Sequence, residues 1–175
     1  MGEDHRAEGT ATEALAKLGR VGDFRMQAVV MGTLAGLADR RGDRQEARRL
    51  CQDALKIHGT TGNRLGEARD LGNLALLYES EEAWDQSLAC LAQADSILAD
   101  IGSRKERMVV ALNRARLLER VGRVEEALVC AREAEGLAQL LGNSARLGEI
   151  QILLERLNTD GDRRAPTSLT GKGTS

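Results

Sequence analysis

The chain has 175 residues, 42% hydrophobic, 2% aromatic and 30% charged, with one proline and a formal net charge of −2. That length suits one domain with a continuous core, and the composition favours Ala/Leu-rich helices, since a sheet would need more Val, Ile, Tyr and Thr. The near-neutral charge excludes the basic footprint that nucleic acid requires, and no run of about 18 apolar residues is present to cross a membrane.

From the N-terminus, Gly2 and Ala7 stand 40 residues before Gly42 and Ala47, so Glu3 to Gly19 reads as the second helix of a partial unit over 2–21. The acidic opening MGEDHRAEGT fits neither a signal peptide nor a myristoylation pattern. Gly22, Gly62, Gly102 and Gly142 then recur every 40 residues, each followed by a helix-starting residue, Asp23, Asn63, Ser103 and Asn143. The spacing predicts units over 22–61, 62–101 and 102–141, each of two amphipathic helices.

In the first unit a helix from about Asp23 to Arg40 gathers Ala28, Met31, Leu34, Ala35, Leu37 and Ala38 on one face, and Gly42 ends it in the left-handed conformation. Its partner, Asp43 to about Ile57, opens with Asp43 and Glu46 in capping-box spacing. Ala68, Leu71, Leu74, Ala75, Leu77 and Tyr78 form the inner face of the next helix, and Trp84, Ser87, Leu88, Leu91, Ala94 and Ile97 that of its partner. The third unit repeats this with Gly122 between its helices, and a last helix, Asn143 to about Leu157, has no partner. Residues 158–175 lack apolar periodicity and are expected to be a flexible tail, in which Gly171-Lys172-Gly173 lacks the Ser/Thr of a phosphate loop.

Ala35, Ala75 and Ala115, and likewise Ala54, Ala94 and Ala134, keep the 40-residue register. Alanine at such places lets neighbouring helices approach closely, and stacked pairs bury faces that one pair would expose. Cys51, Cys90 and Cys130 have no metal-ligand spacing and are expected to be small buried packing residues, free in a reducing cytoplasm. His5 and His58 lie in unrelated places without a carboxylate constellation, so no catalytic residue, metal or cofactor is expected. The paired acids Glu81-Glu82 and Glu125-Glu126 fall at the starts of second helices, where negative charge complements the helix dipole. Two residues break the register. Glu82 stands where Gly42 and Gly122 stand. Arg114 takes the place of Leu34 and Leu74, either reaching solvent along its stem or pairing with an acid such as Glu119, or else facing a partner.

The run Leu71-x2-Leu74-Ala75-x2-Tyr78, followed by Trp84-x2-Ser87, Leu91 and Ala94, resembles the tetratricopeptide repeat over roughly residues 2 to 157. The 40-residue unit looks like the longer-repeat branch of animal scaffolds and of bacterial regulators that join an ATPase to a helical array. The resemblance implies an all-α fold, a right-handed α-solenoid of about eight helices in stacked antiparallel pairs. It further implies a concave groove, lined by the first helices, that holds a peptide segment of a partner protein. Groove-facing positions would be Val29, Gly32, Gly36, Arg69, Gly72, Asn73, Leu76, Glu79, Val109, Leu112, Asn113, Arg116, Glu149, Ile152 and Arg156.

Among these and the nearby Arg120, the candidate binding residues are Arg69, Asn73, Leu76, Asn113, Arg116, Arg120, Glu149 and Arg156. The resemblance implies that Asn73 and Asn113 hold the backbone of an extended peptide, an amide offering both donor and acceptor. The arginines would favour an acidic peptide or a terminal carboxylate. The expected function is therefore a non-catalytic interaction module. Two alternatives are a regulatory or sensor segment of a larger regulator, acting in cis or on a small effector, and a scaffold that self-associates through its unpaired terminal helices.

Overall fold

One residue in the left-handed conformation sets each joint of the chain. Gly22, Gly42, Gly62, Gly102, Gly122 and Gly142 have φ between 62° and 83°, and at the remaining joint Glu82 adopts φ 59°. The computed structural model describes residues 2–164, with side chains described for residue 6 and for 9–159. Among the described residues there are eight helices and no strand. They are α1 (Gly2–Val21), α2 (Phe24–Arg40), α3 (Arg44–Thr61), α4 (Arg64–Ser80), α5 (Trp84–Asp100), α6 (Arg104–Arg120), α7 (Val124–Leu140) and α8 (Ser144–Arg164).

Asp23, Asn63 and Asn143 cap their helices, accepting at 3.1 Å from the backbone N–H of Met26, Gly66 and Arg146. The capping box at Asp43 is half made. Asp43 accepts from the Glu46 N–H at 3.2 Å, but the Glu46 carboxylate turns to Arg49 and the Asp43 N–H goes to the Ala38 carbonyl. Ser103 does not cap: its hydroxyl donates to the Glu106 carboxylate at 2.6 Å.

Three expectations need correcting. Helix α3 continues through His58 to Thr61, because no residue before Gly62 leaves the helical conformation. Helix α8 continues past Leu157 to Arg164, so 158–164 is helical, while the rest of the expected tail, 165–175, lies outside the described residues. Glu81 and Glu82 precede α5 instead of opening it: Glu81 is the C-cap of α4, and its carboxylate pairs with Arg48. Glu125 and Glu126 do occupy the first turn of α7.

Helix pairs α2–α3, α4–α5 and α6–α7 pack together, and α1–α2, α3–α4, α5–α6 and α7–α8 join them into a continuous stack. The six register alanines are at most 2% exposed. Three apolar clusters follow one another along the stack, centred on α2–α3, on α4–α5 and on α6–α7–α8. A buried leucine such as Leu98 or Leu117, about 2 kcal/mol each, contributes on the usual scale of apolar burial. Cys51 and Cys130 are buried, whereas Cys90 is only partly so. Burial raises all three thiols, Cys51 to about 12, which leaves them as unreactive packing groups. Trp84 is partly buried against the α4–α5 cluster. Arg114 is half-buried on the α7 side, where its charge acts on Cys130 and Glu126; it does not pair with Glu119, which is taken by Arg156.

The first helices stand side by side along one face. α2 meets α4, α6 meets α8, and ion pairs join α4 to α6, while the second helices α3, α5 and α7 make no comparable contact with one another. The face expected to be concave is therefore built from α2, α4, α6 and α8.

Candidate functional site

The four expected arginines lie on or beside the concave helices, and each faces an acid of the neighbouring first helix. Arg69 on α4 meets Glu106 on α6 at 3.2 Å, and Arg120 on α6 meets Glu79 on α4 at 3.0 Å. One unit further on, Arg116 pairs with Glu149, and Arg156 on α8 reaches Glu119 on α6 with one bond of 2.8 Å. The Arg120 guanidinium also lies 4.9 Å from the centre of the Trp84 ring. The arginine cluster is thus a ladder of inter-unit ion pairs. Arginines so matched present far less net positive charge to a ligand than their positions in the sequence imply.

Arg69, Asn73, Leu76 and Asn113 do come together. With Gly72 and Val109 they line a cavity of about 470 Å³ between α4 and α6. Asn73 is exposed, Asn113 half-buried, and Leu76 leaves 54% of its surface to solvent, an apolar spot beside two amides. Arg120 borders a smaller hollow with Leu76 and Glu79, and Arg116, Glu149 and Arg156 lie along the face beyond it. Leu112 is not a groove residue: it is 1% exposed and belongs to the α6–α7–α8 core. In the terminal helices Ala11 and Leu15 are partly buried against the α2–α3 cluster and Ile150, Leu153 and Leu157 are buried in the last one, while Val21 and Ile152 remain exposed.

A second cavity of about 470 Å³ lies on the same face, lined by Val29, Gly32, Thr33 and residues of α3 and α4, and it shares Arg69 and Asn73 with the first. Here His58, which the sequence sets in an isolated place, meets a carboxylate. His58 on α3 and Asp70 on α4 are 2% and 4% exposed, and His58 Nε2 stands 3.4 Å from Asp70 Oδ2. Neither that Oδ2 nor His58 Nδ1 has a hydrogen-bond partner, although Asn73 donates to the Asp70 carboxylate. Burial pushes Asp70 up to about 7, against the pull of the Asn73 bond, and lowers His58, so both groups favour their neutral forms.

Two glycines make room for the pair. A Cβ on Gly66 would fall inside the His58 ring's contact distance, and one on Gly32 would lie 3.0 Å from Asp70 Oδ1. The signal for this site is present in the repeat register. His58 falls where other units have Leu18, Leu98 and Ala138, and Asp70 where they have Val30, Val110 and Ile150. Two polar residues at apolar register positions mark it. Among the described residues no group of three or more metal-ligating side chains comes together, and no helix is long and apolar enough to cross a membrane.

Comparison with solved structures places the fold among TPR-like repeat proteins. BtubC (BKLC) from P. vanneervenii is similar over 92% of this chain and 67% of its own, with a TM-score of 0.83 and 22% sequence identity. A Podosopora anserina protein described as a kinesin light chain of nearly identical TPR-like repeats matches 93% of this chain and 94% of its own, with a TM-score of 0.53 and 18% identity. At these identities the likeness is one of fold. No protein-family model matches the sequence, and no curated protein matches it either.

Proposed function

We propose that this TPR-like stack is a non-catalytic binding module that holds an extended segment of a partner protein along its concave face. The observation that carries the reading is the α4–α6 cavity, where Asn73 and Asn113, one unit apart, flank the exposed Leu76. Two amides at that separation offer paired donors and acceptors to a peptide backbone, and the leucine offers an apolar contact to its side chains. The matched arginines argue for a segment chosen by shape and backbone bonding more than by acidity.

The test is affinity capture from the native host with the wild-type chain and with Leu76→Glu/Asn113→Ala, both verified as folded by circular dichroism. Neither residue lines the cavity of His58 and Asp70. A partner recovered by the wild type and lost by the variant is the expected result. Equal recovery would refute groove binding.

A further inference from the structure

The acids of the concave face are matched to arginines. Glu79, Glu106, Glu119 and Glu149 each face a guanidinium from an adjacent first helix. Asp70 is the exception. It is 4% exposed, its Oδ2 has no hydrogen-bond partner, and the groups against its carboxylate are the His58 ring and the Asn73 amide. The preceding residue, Arg69, is turned away to Glu106. A buried carboxylate without a cation is a costly arrangement. The chain has an apolar solution for this place and uses it elsewhere, as Leu98 with Val110.

The space beside Asp70 has the shape that a cation on an apolar stem requires. The cavity holds about 470 Å³ and is walled by Val29 and Leu65, with the side-chain oxygens of Thr33 and Asn73 as further acceptors. Gly32 and Gly66 keep side chains out of it, and their replacement by any larger residue would press on Asp70 or His58. A cation would draw Asp70 into its carboxylate form and supply the counter-charge that the cavity lacks, whereas an anion would oppose that ionisation.

We infer that the cavity between α2, α3 and α4 is a subsite for a primary ammonium group, that of a lysine side chain on the bound peptide, with Asp70 as its counter-ion. The assignment of the amine to a peptide rests on the groove reading above; the ammonium preference of the cavity does not. The stem lies between Val29 and Leu65, and the ammonium donates to Asp70 and to the side-chain oxygens of Thr33 and Asn73.

The full chain, isotopically labelled, is titrated with n-butylammonium and followed by amide NMR. Saturable shifts at Gly66 and Asn73 are expected, and none with butyrate, which has a similar stem and the opposite charge. In the variant His58→Leu/Asp70→Val, which restores the residue types of the next unit and so keeps the fold, affinity should fall at least about tenfold. Shifts from butyrate, absence of shifts from n-butylammonium, or shifts that persist in the double variant would each overturn the inference.

The peptide source is read with acetyl-Ala-Ala-Lys-Ala-Ala-amide and its norleucine counterpart. Tighter binding than n-butylammonium, lost with norleucine, supports a lysine. Equal affinity for the peptide and the free amine overturns the peptide source and assigns the cavity to a small amine. Loss of the groove reading through Leu76→Glu/Asn113→Ala leaves the n-butylammonium result standing, so the two failures are distinguishable.

Discussion

Replacing Asp70 by asparagine keeps the shape of the side chain and its contact with Asn73 while removing the ionisable carboxyl. In the folded chain burial raises that carboxyl from 3.8 to about 7. Between those limits the folded state holds more protons than the unfolded state, so the contribution of Asp70 to stability falls as pH rises through the window. From about pH 5 to about pH 8 the loss comes to about 2 to 3 kcal/mol. His58 acts in the opposite direction. Burial lowers it from 6.5, so the unfolded chain binds the extra proton and stability is gained as pH rises toward that value.

The two effects offset one another in the wild type, and the difference between variant and wild type isolates Asp70. Urea unfolding followed by circular dichroism at the two pH values should show Asp70→Asn gaining about 2 to 3 kcal/mol relative to wild type on going from acid to alkali. A difference that stays constant, or that shrinks with rising pH, would refute the burial of an ionisable carboxyl at this place.

At the joint before α5, Glu82→Gly relieves the one positive-φ non-glycine residue among those described and should add about 1 kcal/mol, a rise in Tm of roughly 2 to 4 °C. An unchanged or lower melting temperature would count against strain there. Gly66→Ala drives a Cβ into the His58 ring and should cost about 1 to 3 kcal/mol in chemical denaturation. In a His58→Ala background the same substitution should become neutral or stabilising by about 0.5 to 1 kcal/mol, through the helix propensity of alanine. A cost that persists in that background would show that the glycine answers to something other than the ring.

Much of this molecule is legible in one dimension because its neighbours in space are its neighbours in register. Gly62 and its counterparts mark the joints, Asn63 caps α4, and Ala54, Ala94 and Ala134 mark where helices touch, since each depends on local conformation or on side-chain size alone. Asn73, Leu76 and Asn113 fall on the same side of the first helices for the same reason, and the structure brings them to one cavity. Leu112 was misplaced because successive residues of a helix differ by only about 100° in direction, and the packing of α7 and α8 against α6 decides on which side of the boundary Leu112 falls.

What the sequence by itself determined is the repeat, its 40-residue period and the helical, TPR-like fold, because periodic apolar faces and left-handed joints act within a unit. Tertiary structure alone decided which charges cancel. Arg69 and Glu106, or Arg156 and Glu119, are 37 residues apart and meet only because stacked units set first helices side by side. The same stacking folds α3 back on α4 and brings His58 to Asp70 in a space cleared by Gly32 and Gly66. Electrostatic pairing and cavity shape depend on distances between units, and those distances exist only once the helices have packed.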